Sequence, residues 1–316
     1  MNKKHINAQL CKKFNAFTNS IKDDEIKGLI QDGTIITGGA IVSLLQGEKP
    51  HDYDLYFKDF ETCYKVTKYF IEQFNRENNC KEAEVKIQTS NKLNAEGEKW
   101  ISYDEALKEI SKGDNPRIKV FIRSEGVASS EELDSFEDEE MQTNITPESD
   151  IEEIASEANY LPKFLTSNAI SLSGKVQLVI RFYGKPEEIH ENYDFVHCTN
   201  YWTSWEKRVN LKLEALEAII NKELIYVGSK YPLCSIIRTR KFINRGWTIN
   251  AGQYLKMCMQ LNDLDLKDIQ TLEDQLVGVD STYFKMLIEA LENKRKNDSS
   301  FEVSSTYVAS IIDKIF

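Results

Sequence analysis

Asp52 and Asp54 stand two apart in the run "HDYDLYF", and Asp52 follows Gly39, the second residue of a Gly38-Gly39 pair, by thirteen positions. In a strand, residues two apart project from one face. The two carboxylates would then lie side by side, with Tyr53 turned the other way. Adjacent carboxylates repel unless a cation neutralises them, and their hard oxygens suit Mg²⁺ or Mn²⁺. Just upstream, "TIITGGAIVSLLQG" reads as a β-branched strand Thr34–Thr37, a glycine turn and a short helix Ala40–Gln46 stopped by Gly47. Glycine lets a backbone approach phosphate closely, and a helix N-terminus offers unpaired N–H groups at its positive end. A phosphate cradle beside paired carboxylates is the equipment of metal-dependent nucleotidyl transfer. The plain alternative is a strand–helix–strand unit carrying two surface aspartates.

A third acid on a neighbouring strand would complete such a site. It would ligate metal on the side of the attacking hydroxyl and help to deprotonate it. Asp194, in "ENYDFVHC", is the candidate. An acid between Tyr193 and Phe195-Val196, in a strand-like run, needs a cation or a hydrogen-bond partner; at a strand edge it would simply face water. Ser43 offers a hydroxyl one helical turn from the glycines, or is an exposed helix residue. Farther on, "YPLCSIIRTRKFINRGWTI" places Arg238, Lys241 and Arg245 at i, i+3 and i+7 on one helix face. Such a stripe suits the phosphates of a nucleotide or an RNA end, or is a solvated face. His190 and His197 are too far apart along the chain to suggest a metal pair, and His51 reads as a surface residue. Trp247 and the aromatics of "YWTSW" read as packing residues more than as stacking platforms for bases.

The stretch from Gly38 to Asp54 resembles the signature of the DNA polymerase β-like nucleotidyltransferase superfamily. It is most similar to the head domain of CCA-adding enzymes and bacterial poly(A) polymerases. Their Gly-Gly-Ala-Val-Arg-Asp-Leu-Leu run followed by Asp-x-Asp lies on Gly38–Asp54 without a gap. The Arg-Asp pair of that run is Val42-Ser43 here. The "DF" of Asp194-Phe195 resembles the family's Asp-Phe-Thr-Ile-Asn motif, with Cys198 at the place of the Asn. Tyr231–Ile249 is similar to the neck of the same enzymes, with Arg238, Lys241, Phe242 and Gly246-Trp247 at matching places. The family's Glu-Asp-x-x-Arg motif has no counterpart, since "LEDQL" lacks the arginine. "IRFYGKPEEIH…YDFVHC" also resembles nucleotidyltransferase-like proteins of bacteriophages. The resemblance implies an α+β fold, a nucleotidyltransferase-type mixed sheet flanked by helices, followed by an all-α C-terminal domain.

The elements that would position these residues follow from periodicity. Residues 5–31 read as helix, Asp52–Phe57 as a strand and Phe60–Asn75 as a helix. Strands are predicted at Glu84–Thr89 and Arg117–Ile122. Two more, joined by a turn at Ser173-Gly174, lie within "FLTSNAISLSGKVQLVIRFYG". "KPEEIHEN" reads as a short helix, "YDFVHCTNYW" as a strand, and the chain from about Lys207 as mostly helical. Three parts result: N-terminal helices over 1–33, a palm-like domain over 34–205, and a helical neck and C-terminal domain over 206–316.

The 316 residues carry a formal charge of −11. Residues 124–162 hold thirteen acids and no Lys or Arg, so the remainder carries −11 − (−13) = +2. The acidity therefore belongs to one Ser-rich segment poor in large apolar residues, expected to be an exposed insertion within the palm-like domain. It does not speak against an anion-binding cleft elsewhere. Six scattered cysteines without CxxC pairs suggest reduced thiols in a cytoplasmic protein. No apolar run is long enough to cross a bilayer, and no secretory leader is visible.

The expected reaction is transfer of a nucleoside monophosphate from an NTP to a hydroxyl, with release of pyrophosphate. Asp52, Asp54 and Asp194 would hold Mg²⁺ (or Mn²⁺), with Asp194 assisting deprotonation. Gly38, Gly39 and Ser43 would meet the phosphates, with Arg238 and Lys241 on the nucleotide. Arg245 extends the stripe toward RNA. The neck resemblance implies a tRNA-like RNA 3′ end as acceptor. Three alternatives stand beside it: a protein-modifying nucleotidyltransferase of the toxin or anti-defence kind, transfer to a small molecule, and a nucleotide-binding module without turnover.

Overall fold

The structure is a computed structural model. It describes residues 2–78, 83–90, 100–122 and 160–266, and single helical positions at 271, 275, 293, 294, 296 and 306. The acidic insertion, but for its last three residues, lies outside the described residues. The chain divides into two compact units. Unit 1 comprises residues 1–189 and 200–211, and unit 2 comprises 190–199 and 212–316.

Unit 1 opens with α1 (Lys3–Ser20) and α2 (Asp24–Gly33). The helical stretch read over 5–31 is made of these two helices. Ile21 is extended, and the Asp23 side chain accepts from the Ile26 N–H, which caps α2 and ends any continuation of α1. A cap of this kind is worth about 1 kcal/mol. The signal, an aspartate ahead of "DEI", was present in the sequence. Ile6, Leu10, Phe14 and Phe17 of α1 are buried at helical spacing and join the core under the sheet.

There follow β1 (Thr34–Thr37), α3 (Gly39–Gln46), β2 (Tyr53–Phe57) and α4 (Phe60–Glu77). α3 stops where Gly47 turns left-handed at φ 81°, a conformation that glycine adopts without a Cβ clash. Asp59 caps α4 by accepting from the Thr62 N–H. Next come β3 (Ala83–Gln88), β4 (Trp100–Ile101), α5 (Tyr103–Ser111) and β5 (Arg117–Ile122). Ser102 and Glu105 form a reciprocal capping box at the start of α5. Unit 1 continues with β6 (Pro162–Leu165), β7 (Ala169–Leu172), β8 (Val176–Tyr183) and a short helix, α6 (Pro186–His190), whose last residue belongs to unit 2. It ends with β9 (Tyr201–Thr203) and β10 (Arg208–Asn210).

Seven of these strands form one mixed sheet in the order β10-β9-β1-β2-β8-β7-β6. The β2–β8 pair is parallel, and the other pairs are antiparallel. A parallel pair requires a crossover, and α4 begins it. Ile36, Leu55, Phe57, Leu178 and Trp202 face one side of the sheet and pack with α1 and α4 in a continuous core. β4-β3-β5 form a separate three-stranded antiparallel sheet. The mixed sheet flanked by helices is the α+β class expected.

In unit 2 the predicted strand through "YDFVHC" does not form. Phe195 makes an isolated bridge to Tyr226, and Val196–Thr199 winds into a 3-10 turn. Among the described residues the segment pairs only through that bridge, so Phe195 and His197 serve a core instead of a ladder. The unit also has the helices α7 (Leu213–Asn221), α8 (Pro232–Asn244) and α9 (Ala251–Asn262), and a second isolated bridge joins Glu223 to Thr248. Among the described residues no helix is long and apolar enough to cross a membrane, and Cys11, Cys63, Cys198, Cys234 and Cys258 are free thiols.

Candidate functional site

The glycine turn and the aspartates meet at one end of the large sheet. β1 and β2 run antiparallel with Thr37 opposite Asp54, so the end of β1 adjoins the start of β2. Gly38 follows Thr37 at once and takes φ 86° and ψ −145°, a region open to glycine alone. Gly39 then begins α3, and no side chain caps that helix. Its first N–H groups have no partner within the helix, and a Cβ built on Gly39 would meet nothing within 4 Å. The turn thus has two roles for two glycines. Gly38 permits the bend, and Gly39 leaves clear space before an N-terminus whose dipole favours an anion.

On β2 the alternation holds from Tyr53 to Leu55 and ends there, since Tyr56, on the Asp54 face, is buried as well. Tyr53, Leu55 and Phe57 enter the core, whereas Asp54 is half-buried and Asp52 is exposed. The strand itself begins at Tyr53, so Asp52 stands just before it. In the parallel register with β8, Gln177 lies opposite Asp54, and the Tyr53 N–H donates to the Lys175 carbonyl oxygen (2.9 Å). The Thr37 hydroxyl donates to the Asn200 carbonyl oxygen (2.8 Å), which ties β1 to the residue before β9. Thr37, Gln177 and Asn200 therefore share this sheet end with the aspartates. Only strand order reveals them, since Gln177 and Asn200 are remote from the motif in sequence.

Beneath this end, Lys13 reaches from α1. Its ammonium lies 5.2 Å from the ring centroids of both Tyr53 and Tyr160 and donates to the Gly174 carbonyl oxygen. Burial, with Lys175 adding repulsion, pushes its pKa down to about 8. Burial raises the Tyr53 phenol to about 12. Tyr53 is therefore a neutral support for the strand that carries the aspartates.

Asp52 and Asp54 bring two hard carboxylates to one place. Carboxylates are the donor type Mg²⁺ takes when substrate phosphates and water complete its shell. Among the described residues no group of three or more His, Cys, Asp and Glu side chains could hold a metal ion. Ser43 lies half-buried within α3, near its C-terminal end; its carbonyl accepts from the Glu48 N–H (2.8 Å).

Asp194 belongs to unit 2, where it is 5% exposed. The cation its setting demands is Arg238, whose guanidinium donates to one carboxylate oxygen; the other oxygen is buried without a hydrogen-bond partner. The structure thus pairs two residues that the sequence alone placed in separate roles. The Val227 N–H donates to the Asp194 carbonyl (3.0 Å), and the Val196 N–H to that of Ile225 (3.0 Å), so the acid is anchored at both ends. Tyr226, bridged to Phe195, is pushed up to about 12 by burial and by the Asp194 charge.

Beside this pair lies an aromatic cluster. His197 is fully buried, with ring centroids of Trp247 at 4.3 Å, Phe242 at 4.7 Å and Phe195 at 5.9 Å. Neither imidazole nitrogen has a hydrogen-bond partner, and burial lowers its pKa to about 3. It is a neutral core residue, and Trp247 is a wall of the same core. Lys241 and Arg245 stand exposed on and just after α8.

A family model described as Gad2, Gabija anti-defense 2 family protein, matches residues 9–222. A Gabija anti-defense 2 protein of Bacillus phage SPbetaL7 is 21% identical over 117 residues, a span of 36% of this chain and 29% of that protein. The chain therefore matches less than a third of the phage protein's length. The family match contains Gly38, Gly39, Asp52, Asp54 and Asp194 and ends before α8, which carries Arg238 and Lys241. Because it covers 214 of 316 residues, the chain belongs to the Gabija anti-defense 2 family.

Proposed function

We propose that this protein counters the Gabija defence by nucleotidyl transfer to a protein, with the chemistry seated at the β1–β2 end of the large sheet. The observation that carries the proposal is the register of Thr37 opposite Asp54, next to an uncapped helix N-terminus behind a glycine bend. Family membership supports a protein of the host defence as the acceptor over an RNA end.

In this proposal the polyphosphate of an NTP lies over Gly39 and meets the first N–H groups of α3, with the Ser43 hydroxyl as a further donor. Asp52 and Asp54 would hold Mg²⁺, which supplies neutralisation of the phosphate charge. An acceptor hydroxyl attacks the α-phosphorus. A new P–O bond forms, the bond between the α-phosphorus and the bridging oxygen breaks, pyrophosphate leaves, and the hydroxyl proton passes to a carboxylate or to water. Asp194 and Arg238 act as a structural pair of unit 2. A second acceptor, an RNA 3′ end, is favoured by one observation, the exposed Lys241 and Arg245 at the end of α8.

The test is incubation of the full chain with each α-³²P-labelled NTP and Mg²⁺, offering either purified Gabija proteins or a tRNA pool. The expected result is label in protein that disappears with Asp52→Ala and with Asp54→Ala. Label in tRNA alone would move the assignment to the second acceptor. If neither is labelled, and both variants still protect phage from Gabija in cells, the transfer proposal is wrong and the protein acts by binding.

A further inference from the structure

Asp54 has a neighbour on each side of it in the large sheet, Thr37 on β1 and Gln177 on β8. The Thr37 hydroxyl is taken up by the Asn200 carbonyl oxygen (2.8 Å). Gln177 is different. It is half-buried, and among the described residues its amide makes no hydrogen bond. The same holds for Ser171, which faces Gln177 from β7. Beyond it, Phe164 on the edge strand β6 faces Ser171 and is half-buried too. Residues in register share a face. The opposite face of these three strands carries Leu165, Ile170, Leu172, Val176 and Leu178 in the core. Outward from Asp54 there runs a row of one amide, one hydroxyl and one ring, on strands about 4.8 Å apart.

The chemistry proposed above gives this row a direction. The polyphosphate lies over Gly39, at the end of β1, and the α-phosphorus lies by Asp54. Displacement of pyrophosphate is in line, so the attacking oxygen enters on the side away from the leaving group. From β1 across β2, that side is β8. A glutamine amide offers donors and an acceptor without charge, the complement of a main-chain N–H and C=O. The residues in register with Asp54 across the sheet are Asn210, Tyr201, Thr37, Gln177, Ser171 and Phe164. None is cationic, whereas a nucleic-acid strand is held through Lys and Arg on its phosphates. Of the basic residues nearby, Lys175, in the turn before β8, acts on Lys13 beneath the sheet, and Arg181, farther along β8, leans on the Phe182 ring (5.3 Å).

We infer that Gln177 is a positioning residue for the acceptor. Its amide holds the main chain of a polypeptide segment beside the hydroxyl to be modified, and Ser171 and Phe164 continue the track along that segment. Gln177 takes no part in proton movement. The inference deepens, and rests on, the reading that transfer to a protein occurs at the β1–β2 end.

The experiment uses the full chain, purified Gabija proteins, α-³²P-labelled NTP and Mg²⁺. Gln177→Met keeps the bulk and removes the hydrogen bonds. It should raise the KM for the acceptor protein about tenfold, the loss of one or two hydrogen bonds, with the KM for NTP and the urea midpoint unchanged. Ser171→Ala should raise the same KM about threefold. A second measurement needs no turnover: p-benzoylphenylalanine placed at Ser171 should cross-link to purified Gabija protein on irradiation, and Gln177→Met should reduce the yield. If wild type labels protein while Gln177→Met leaves the acceptor KM unchanged, or raises the KM for NTP instead, the inference is overturned and the transfer reading stands. A cross-link without any label refutes transfer and still supports polypeptide binding along Gln177 and Ser171. Absence of the cross-link overturns the track, as does a cross-link to tRNA in preference to the Gabija proteins.

Discussion

Arg238→Met tests whether the Asp194–Arg238 pair is a structural tie of unit 2. The Asp194 side chain is 4% exposed and that of Arg238 31%, and the second carboxylate oxygen already lacks a hydrogen-bond partner. Removing the arginine therefore leaves a buried carboxylate with no side-chain partner. Breaking a fully buried pair in this way costs about 3–5 kcal/mol, whereas an exposed pair contributes about 0–1. With the arginine a third exposed, water can approach that side, so the expected loss is about 2–3 kcal/mol. At a urea dependence of about 2 kcal/mol/M, the midpoint falls by about 1 M. Asp194→Asn should cost less, because the Arg238 side chain is a third exposed to water while the Asp194 carboxylate is buried. The double variant should recover part of the loss, with a coupling of about 1–2 kcal/mol. Urea titration followed by tryptophan fluorescence reads the transition, since Trp247 stands in the neighbouring cluster. If Arg238→Met unfolds within about 0.2 M of wild type, or if the two single changes add without coupling, the pair is not a tie and Asp194 is kept for another purpose.

The two glycines should behave differently. Gly38→Ala forces a Cβ into φ 86° and should lower stability by about 1–3 kcal/mol. Gly39→Ala, which meets open space, should leave the thermal midpoint unchanged while weakening NTP binding in calorimetry; weakened folding in Gly39→Ala would refute the division of roles. Ser102→Ala removes half of a capping box and should cost about 1 kcal/mol, measured by urea unfolding. For pH, the His197 pKa near 3 lies below its ordinary 6.5, so folding favours the neutral ring. The stability this confers is complete above about pH 6.5 and drains as pH falls toward 3. His190, lowered to about 3 by burial and then by Lys212, contributes to the same slope. His197→Phe should therefore flatten, without abolishing, the fall in thermal midpoint between pH 7 and 4, and an unchanged slope would refute the buried neutral assignment.

Much of unit 1 was legible in the residues. Thr34–Thr37, the helix ended by Gly47, the alternation Tyr53-Asp54-Leu55 and the strand Arg117–Ile122 rest on local rules: β-branching, left-handed glycine and period-two burial. The break at Asp23 and the capping box at Ser102-Glu105 were equally local and were passed over. "YDFVHC" misled because alternation reports which residues are buried, not whether a strand stands ready to pair with them.

By itself the sequence determined that a strand, a glycine bend and a helix precede the strand that carries Asp54, because backbone freedom at glycine and side-chain alternation act over a few residues. It also determined that the negative charge is concentrated in one segment. Tertiary structure alone decided that Thr37 sits opposite Asp54 with Gln177 on the far side, that Asp194 spends its charge on Arg238, and that Ser171 and Phe164 continue the row beyond Gln177. Each of those facts is a pairing between distant parts of the chain. Strand order and register, which no local propensity encodes, set such pairings.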